Sequence, residues 1–256
     1  MKVEKFPAPG AKVPASEFLV IGGGCAANQA VAIARLGGNA AFAGPLGGEN
    51  DAVSSRVLKD LKADGIDCSG AVRVDGGTSS VSLIMVDAAG EKLVATRRGT
   101  DLGDALPADA EKLVADIAAL SVDNRFPPFV MALARAAAKR NIPIVIDLDQ
   151  ATTPDDPLLA MGTHVIASAE GLKDTTGLSD PGAGLRKLAE TNPGFLASTD
   201  GANGMYWLEG DAVKHMPAFK VEVIDSLGAG DAFHGAFAMA LAEGLAMLVF
   251  FLLANK

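Results

Sequence analysis

Seven residues near the end of the sequence, Asp225-Ser-Leu-Gly228-Ala229-Gly230-Asp231, set two carboxylates and two glycines ahead of an apolar run that includes Phe233, Phe237, Met239 and Leu241. The run predicts a helix that is apolar on nearly every face and therefore buried. Its start carries almost no side chain, so an anion can approach the free N–H groups of the first turn, where the helix dipole adds positive potential. Asp231 falls in that same turn, where a carboxylate is held ionised. It could accept a proton from a substrate hydroxyl while the N–H groups stabilise charge on a transferring phosphoryl group. An acidic residue that only caps a buried helix after a glycine-rich turn fits the same residues equally well.

Other groups are weaker. Gly22-x-Gly24-x-x-Ala27 follows the β-rich run Phe18–Ile21 and opens a helix, which is the dinucleotide-binding pattern on paper. An NAD(P)-dependent oxidoreductase would need a ribose-binding acid about 20 positions on; residues 40–48 read AAFAGPLGG and hold none. Thr199-Asp-Gly201 offers a hydroxyl and a bare amide at a strand end, a neutral phosphate cradle, although most such turns only turn. Asp123-Asn124-Arg125, Asp147 and Asp149 close two predicted strands, where loop polarity and helix capping are the favoured reading. Arg97-Arg98 reads equally as a solvated pair or as a substrate contact. His234 is expected at a packed helix position, and Trp207 in the core or over an edge.

The elements that would carry these groups alternate. Cys25–Leu36 reads as a helix ended by Gly37-Gly38, Asn39–Ala43 as a strand and Asp51–Asp64 as a helix. Ala71–Val74, Val81–Val86 and Lys92–Thr96 follow one another with no helix between, which predicts an antiparallel meander. Helix Asp109–Ile117, strand Ala118–Val122, helix Pro128–Arg140, strand Pro143–Leu148, strand His164–Ala167, helix Gly182–Glu190 and strand Gly194–Ser198 then restore the alternation. Leu245–Ala254 reads as a buried helix. Such units imply an α/β fold in three layers, with a mostly parallel central sheet and ligands at the carboxyl ends of its strands. The expected division is a core of residues 24–70 and 97–256, with 1–23 and 71–96 as a small β-sheet lid.

A net charge of −9, with no basic stripe to offset it, argues against nucleic-acid binding. It also means that an anionic substrate needs local devices such as helix N-termini and Mg²⁺. Two cysteines, Cys25 and Cys68, form no C-x-x-C pair and suit a reducing cytoplasm. The three histidines show no ligand spacing for zinc. No signal peptide is expected from the charged, proline-containing start, and the most apolar run is too short to span a bilayer.

With these residues assembled, the sequence resembles the ribokinase-like (PfkB) carbohydrate kinases. DSLGAGD is similar to one signature of that family, and Gly23-Gly24-Cys-Ala-Ala-Asn28 through Gly37 to the other, in the right order and about 200 residues apart. The resemblance covers nearly the whole chain. It implies ATP-dependent phosphoryl transfer to a hydroxyl of a sugar-like substrate, with Asp231 as base and Gly228, Ala229 and Gly230 as anion hole. It implies sugar contacts at Gly24, Asn28 and Asp225, the last near a K⁺ site in some members. Thr199 and Gly201 would lie along the nucleotide phosphates, and Glu170 would act through Mg²⁺. The β-sheet lid of relatives often forms a dimer interface, which implies a homodimer. A sugar or nucleoside binder without catalysis on the same scaffold is the other alternative.

The sequence departs from the family pattern in places. Ala167 stands where the metal-site element has Asn, Cys25 where a basic or polar residue is common, and Gly48 where an acid is usual. A strand with a substrate-binding Asp ahead of residue 1, and a stretch beyond residue 256 that helps hold adenine, are also expected, so the sequence reads as part of a longer protein.

Overall fold

In this computed structural model, residues 1–222 and 226–245 are described. The chain opens with two short strands, β1 (Lys2–Val3) and β2 (Ala15–Glu17), and then α1 (Cys25–Arg35), β3 (Ala41–Gly47), α2 (Ala52–Ala63) and β4 (Asp67–Val74). Helix α1 starts from Gly24 at φ 112 and is followed by Gly37 at φ 93. Both angles suit a residue without a Cβ. Helix α2 is capped by Asp51, whose carboxylate accepts from the amides of Ser54 at 3.1 Å and Ser79 at 3.0 Å.

Strands β5 (Val81–Val86) and β6 (Lys92–Arg97) form an antiparallel hairpin, extended into a separate four-stranded sheet of order β2-β1-β5-β6. This sheet differs from the expected meander in two ways. Residues 71–74 belong to β4, which pairs in parallel with β3, Gly44 opposite Ala71. Small residues permit that pairing: a Cβ on Gly70 would sit 2.6 Å from the Ala43 Cβ. Strand β1 also meets β5 in parallel, Lys2 opposite Val86, so the small sheet is mixed rather than antiparallel. The strand expected at Phe18–Ile21 is absent. Pairing stops at Glu17, and Phe18, Leu19, Val20 and Ile21 are exposed. A β-rich run needs a neighbour to pair with, and this one has none among the described residues.

The alternating half contains α3 (Ala110–Leu113), β7 (Leu120–Asp123), α4 (Pro127–Lys139), β8 (Ile144–Leu148), α5 (Pro157–Met161), β9 (His164–Ser168), α6 (Ala169–Thr176), α7 (Pro181–Ala189), β10 (Phe195–Thr199), β11 (Met205–Glu209), β12 (Ala212–Met216) and α8 (Ala229–Ala242). The sheet runs β12-β11-β10-β9-β8-β7, with β7 to β10 parallel and β11 and β12 antiparallel. The expected helix over 109–117 shrinks to a single turn, and α5, α6 and the β11–β12 hairpin are additions. Of the helix expected over 245–254, all but Leu245 lies outside the described residues.

Side-chain alternation along the strands builds the three layers. Ile144, Ile146, Leu148, Val165 and Leu196 face Phe129, Leu133, Leu159, Leu172 and Leu185 from α4 to α7. Their neighbours Val145, Ile166 and Ala197 face Phe237 and Ala238 of α8 on the opposite side. Helix α8 in turn lies against α1, close enough that a Cβ on Gly235 would stand 2.5 Å from the Gln29 carbonyl oxygen. Gly235→Ala is therefore expected to destabilise the protein by about 1–3 kcal/mol through overpacking. Urea unfolding reads this directly, and a change within about 0.5 kcal/mol, the scatter of an ordinary surface substitution, would show that the two helices separate freely.

Candidate active site

Parallel strands bring their carboxyl ends to one edge. Asp123 ends β7, Asp147 lies in the last turn of β8 with Asp149 just beyond it, and Thr199 ends β10. The N-termini of α1 and α8 arrive at the same edge, and there Asn28 Nδ2 donates to Asp231 Oδ2 at 2.6 Å across 203 residues of sequence. Gly228, left-handed at φ 74, starts α8 with no side-chain cap. The amide of Ala232 is the first to reach back to Gly228, at 2.8 Å, and that of Ala229 bonds Ser226 at 3.3 Å. The amides of Gly230 and Asp231 precede Ala232, the first helical donor. A Cβ on Gly230 would meet nothing within 4 Å, and one on Gly228 would approach Asn28 Nδ2 and Asp231 Oδ2 to 3.7 Å. The bare-backbone cup expected at this helix start is thus open, with an oriented carboxylate at its rim.

Around Asp231 the structure gathers groups that the sequence pattern ranked low. Ligand atoms of Cys25, Asp147 and Asp231 all lie within 4.8 Å of one another. Asp123 and Asp147 are buried, at 8% and 4% exposure, rather than solvated loop residues. Burial pushes the Asp123 carboxyl above its ordinary range, with nearby Asp231 adding to the effect. Burial also raises Asp147, to about 6, with Asp149, Asp231 and Asp123 pushing the same way and His234 opposing. The Cys25 thiol is pushed far up by burial first and then by the Asp231 charge. Arg125 binds this group together: it pairs with Asp149, its amide donates to Asp123 Oδ1 at 3.0 Å, and its charge lies near Cys25. Gln150, with its amide oriented to suit its neighbours, accepts from Arg125 Nη1 at 2.7 Å and from Arg98 Nη2 at 3.2 Å. Position at the end of a buried parallel strand, more than residue type, was the signal for Asp123 and Asp147.

The remaining candidates lie toward β9 and β10. Thr199 is half-buried and makes only a long contact, 3.5 Å, with the Ala167 carbonyl; Gly201 follows at φ 48. Glu170 is exposed in the first turn of α6, which Ser168 caps. It and Asp174, one turn further on, line two hollows of about 480 Å³ each. One hollow reaches Ser198 and Asp200, and the other Arg98, Arg125 and Asp149. Exposed carboxylates one turn apart beside a polar hollow suit Mg²⁺, which keeps several of its waters. Ala167 is fully buried and supplies no ligand. Asp225 lies outside the described residues. The dinucleotide fingerprint fails on geometry: no strand feeds Gly22, whose amide instead donates to Asp60 Oδ2 at 2.8 Å.

Comparison with known proteins agrees with this geometry. The family model described as pfkB family carbohydrate kinase matches residues 1–256. Bacillus subtilis ribokinase is 27% identical over 247 residues, covering 94% of this chain and 81% of its own. The crystal structure of a ribokinase candidate from Agrobacterium tumefaciens superposes with a TM-score of 0.92 at 32% identity, over 99% of this chain and 84% of that one. Arabidopsis thaliana ribokinase, solved with ribose and ATP, shares the fold at a TM-score of 0.83 and 21% identity, over 99% and 85% of the two chains. The chain belongs to the PfkB family of carbohydrate kinases. Its fold is ribokinase-like and its activity that of a carbohydrate kinase.

A thiol with so high a pKa is almost wholly protonated at neutral pH and a poor nucleophile. Alkylation at pH 8 should therefore modify Cys25 at least about ten-fold more slowly than Cys68, whose smaller rise comes from lesser burial. Peptide mapping after timed iodoacetamide treatment measures both rates, and equal rates would contradict the burial of Cys25 against Asp231.

Proposed function

We propose that this chain transfers the γ-phosphoryl group of ATP to a hydroxyl of a sugar or sugar-like molecule, with Asp231 as the base. The observation that carries the reading is the 2.6 Å bond from Asn28 to Asp231 at the uncapped mouth of α8. That bond occupies one carboxylate oxygen and leaves the other to accept a hydroxyl proton. The sugar lies between the strand ends and the small sheet, against Gly24 and Asn28; the family resemblance adds a sugar contact at Asp225, which lies outside the described residues. As the attacking oxygen loses its proton to Asp231, the bare turn Gly228-Ala229-Gly230, through the free amides of Gly230 and Asp231, takes up charge on the transferring phosphoryl. Thr199 and Gly201 flank the nucleotide phosphates. Glu170 and Asp174 would hold Mg²⁺, which would supply charge neutralisation at the phosphates.

Residues 1–23 and the β5–β6 hairpin act as a lid over the core, with the boundary at 71–74 moved to the β3–β4 pair. Lys92 Nζ, on β6, donates to Ser226 Oγ at 2.9 Å, a contact that supports closure of the hairpin onto the loop before α8. Closure would exclude water and spare ATP from hydrolysis. Phe18, Leu19, Val20, Ile21, Val81, Leu83 and Val94 leave apolar surface exposed on and beside this sheet, which supports a homodimer formed there. Two unpaired thiols support a cytoplasmic setting. Among the described residues no helix is long and apolar enough to cross a membrane.

Asp231→Asn should lower kcat by about 10²–10⁴-fold, the usual contribution of a general base, and leave sugar affinity within a few-fold. ADP release over a panel of pentoses, ketoses, sugar acids and nucleosides, with Mg²⁺ and with or without K⁺, measures turnover; calorimetry measures binding. A non-catalytic binder would release no ADP with any sugar even before the substitution.

A further inference from the structure

His234 lies one turn below Asp231 on α8, with 2% of its surface exposed. Both ring nitrogens face oxygen atoms that can only accept. Nδ1 stands 2.8 Å from the Gly230 carbonyl oxygen, and Nε2 stands 3.1 Å from that of Ile166 on β9. Asp147 Oδ1, from β8, is 3.5 Å from Nε2. A neutral imidazole has one N–H and one lone pair. With the proton on Nδ1, a lone pair would face the Ile166 carbonyl at 3.1 Å; with it on Nε2, one would face Gly230 at 2.8 Å. Either tautomer sets two electron-rich atoms against each other in an interior where such a contact cannot be screened. The doubly protonated ring satisfies both contacts.

Its counter-ion is held in place. Gln29 Nε2 donates to Asp147 Oδ2 at 3.0 Å, and Gln29 Oε1 accepts from Ser121 Oγ at 2.7 Å. A chain of side chains from β7, α1 and β8 therefore turns the other Asp147 oxygen toward the ring. Phe233, on the same helix as His234, meets the imidazole edge to face at 5.9 Å. Asp231, one turn above, is the other nearby carboxylate on α8, and the Cys25 thiol beyond it stays neutral.

We propose that His234 is a buried imidazolium that polarises the Gly230–Asp231 peptide and so strengthens the anion-binding mouth of α8. The carbonyl it bonds and the amide of Asp231 are the two ends of one peptide group. A charged donor on the carbonyl makes that amide a stronger donor in turn. His234 touches no reacting atom; it is a positioning residue that acts through the backbone, and this role rests on the reading of α8 as the anion hole. Two fixed charges, the imidazolium and the helix N-terminus, then act in the same direction at the point where phosphoryl charge develops.

The whole chain labelled with ¹⁵N-histidine tests the charge without reference to activity. With three histidines in the sequence, the His234 signals are assigned by their loss in His234→Asn. At pH 8, where a histidine in water is largely neutral, both His234 nitrogens should carry protons. Asp147→Asn should strip the second proton by removing the counter-ion. One bare ring nitrogen in the unmodified protein at pH 8 would overturn the proposal, and this readout stands even if His234→Asn does not fold, with Asp147→Asn then supplying the assignment. In turnover, His234→Asn keeps a neutral donor near Gly230 and should lower kcat about ten-fold with the KM for sugar moved less than about two-fold. Unchanged kcat would refute the role at the anion hole. Failure of every sugar to release ADP would instead sink the kinase reading, while the nitrogen signals still report the charge on His234.

Discussion

The site depends on how closely α8 can lie against α1. Gly235 brings the backbone of one helix to the carbonyl of Gln29 on the other, with no room for even a methyl group between them. The two N-termini consequently end at one place, and Asn28 and Asp231 meet although their strands and loops come from opposite ends of the chain. The approach has an electrostatic cost, because two helix N-termini present the same partial charge. Carboxylates gathered at that point offset it. Asp231 sits at one terminus, and Asp123 and Asp147 arrive from the sheet.

That arrangement explains how a chain of charge −9 can prepare a place for polyphosphate. Several acids share a small volume, and burial with mutual repulsion lifts Asp123 and Asp147 from their ordinary range. Asp231 has a different environment: it lies half-buried in the first turn of α8 and receives the Asn28 amide. The acids are oriented differently: Asp231 meets Asn28 at the mouth of α8, while Asp147 faces inward to Gln29 and His234. Positive charge is supplied over short distances by Arg125, Arg98 and the helix ends, where it acts on phosphate without the long-range field of a basic surface.

The sequence made the helices around the site readable because their ends carry unambiguous chemistry. Asp51 caps α2, and glycines bracket α1. The DSLGAGD run marked α8 and its open mouth from composition alone, although Asp225 lies outside the described residues. Partner choice was not readable. The residues of β4 fit a meander as well as a parallel pair, and only the contact of Gly70 with Ala43 distinguishes them. Phe18–Ile21 has strand composition, yet composition cannot supply a neighbouring strand. Asp123 and Asp147 were given up to capping for a related reason. An acid after a strand has the same local sequence whether it turns to water or into the interior, and the fold decides which. Glu170 was singled out by the resemblance to the family's metal-site element, but its companion Asp174 comes into view only once α6 forms a helix.

Cys25 shows how a departure from the family pattern is absorbed. The family resemblance leads one to expect a basic or polar residue at this position. A neutral thiol there leaves the mouth of α1 without a strong donor. In the structure a guanidinium stands near the same place from another element: Arg125, in the turn between β7 and α4, brings its charge near Cys25 and pairs with Asp149. Its Nε is buried without a protein partner among the described residues, so one donor of the fork stays uncommitted beside the thiol. A buried donor without a protein partner is costly, and a hydrogen-bond acceptor that meets it offsets that cost. Positive charge at this edge is therefore supplied from the strand end rather than from the start of α1. A short neutral side chain at position 25 makes room for the longer one to arrive.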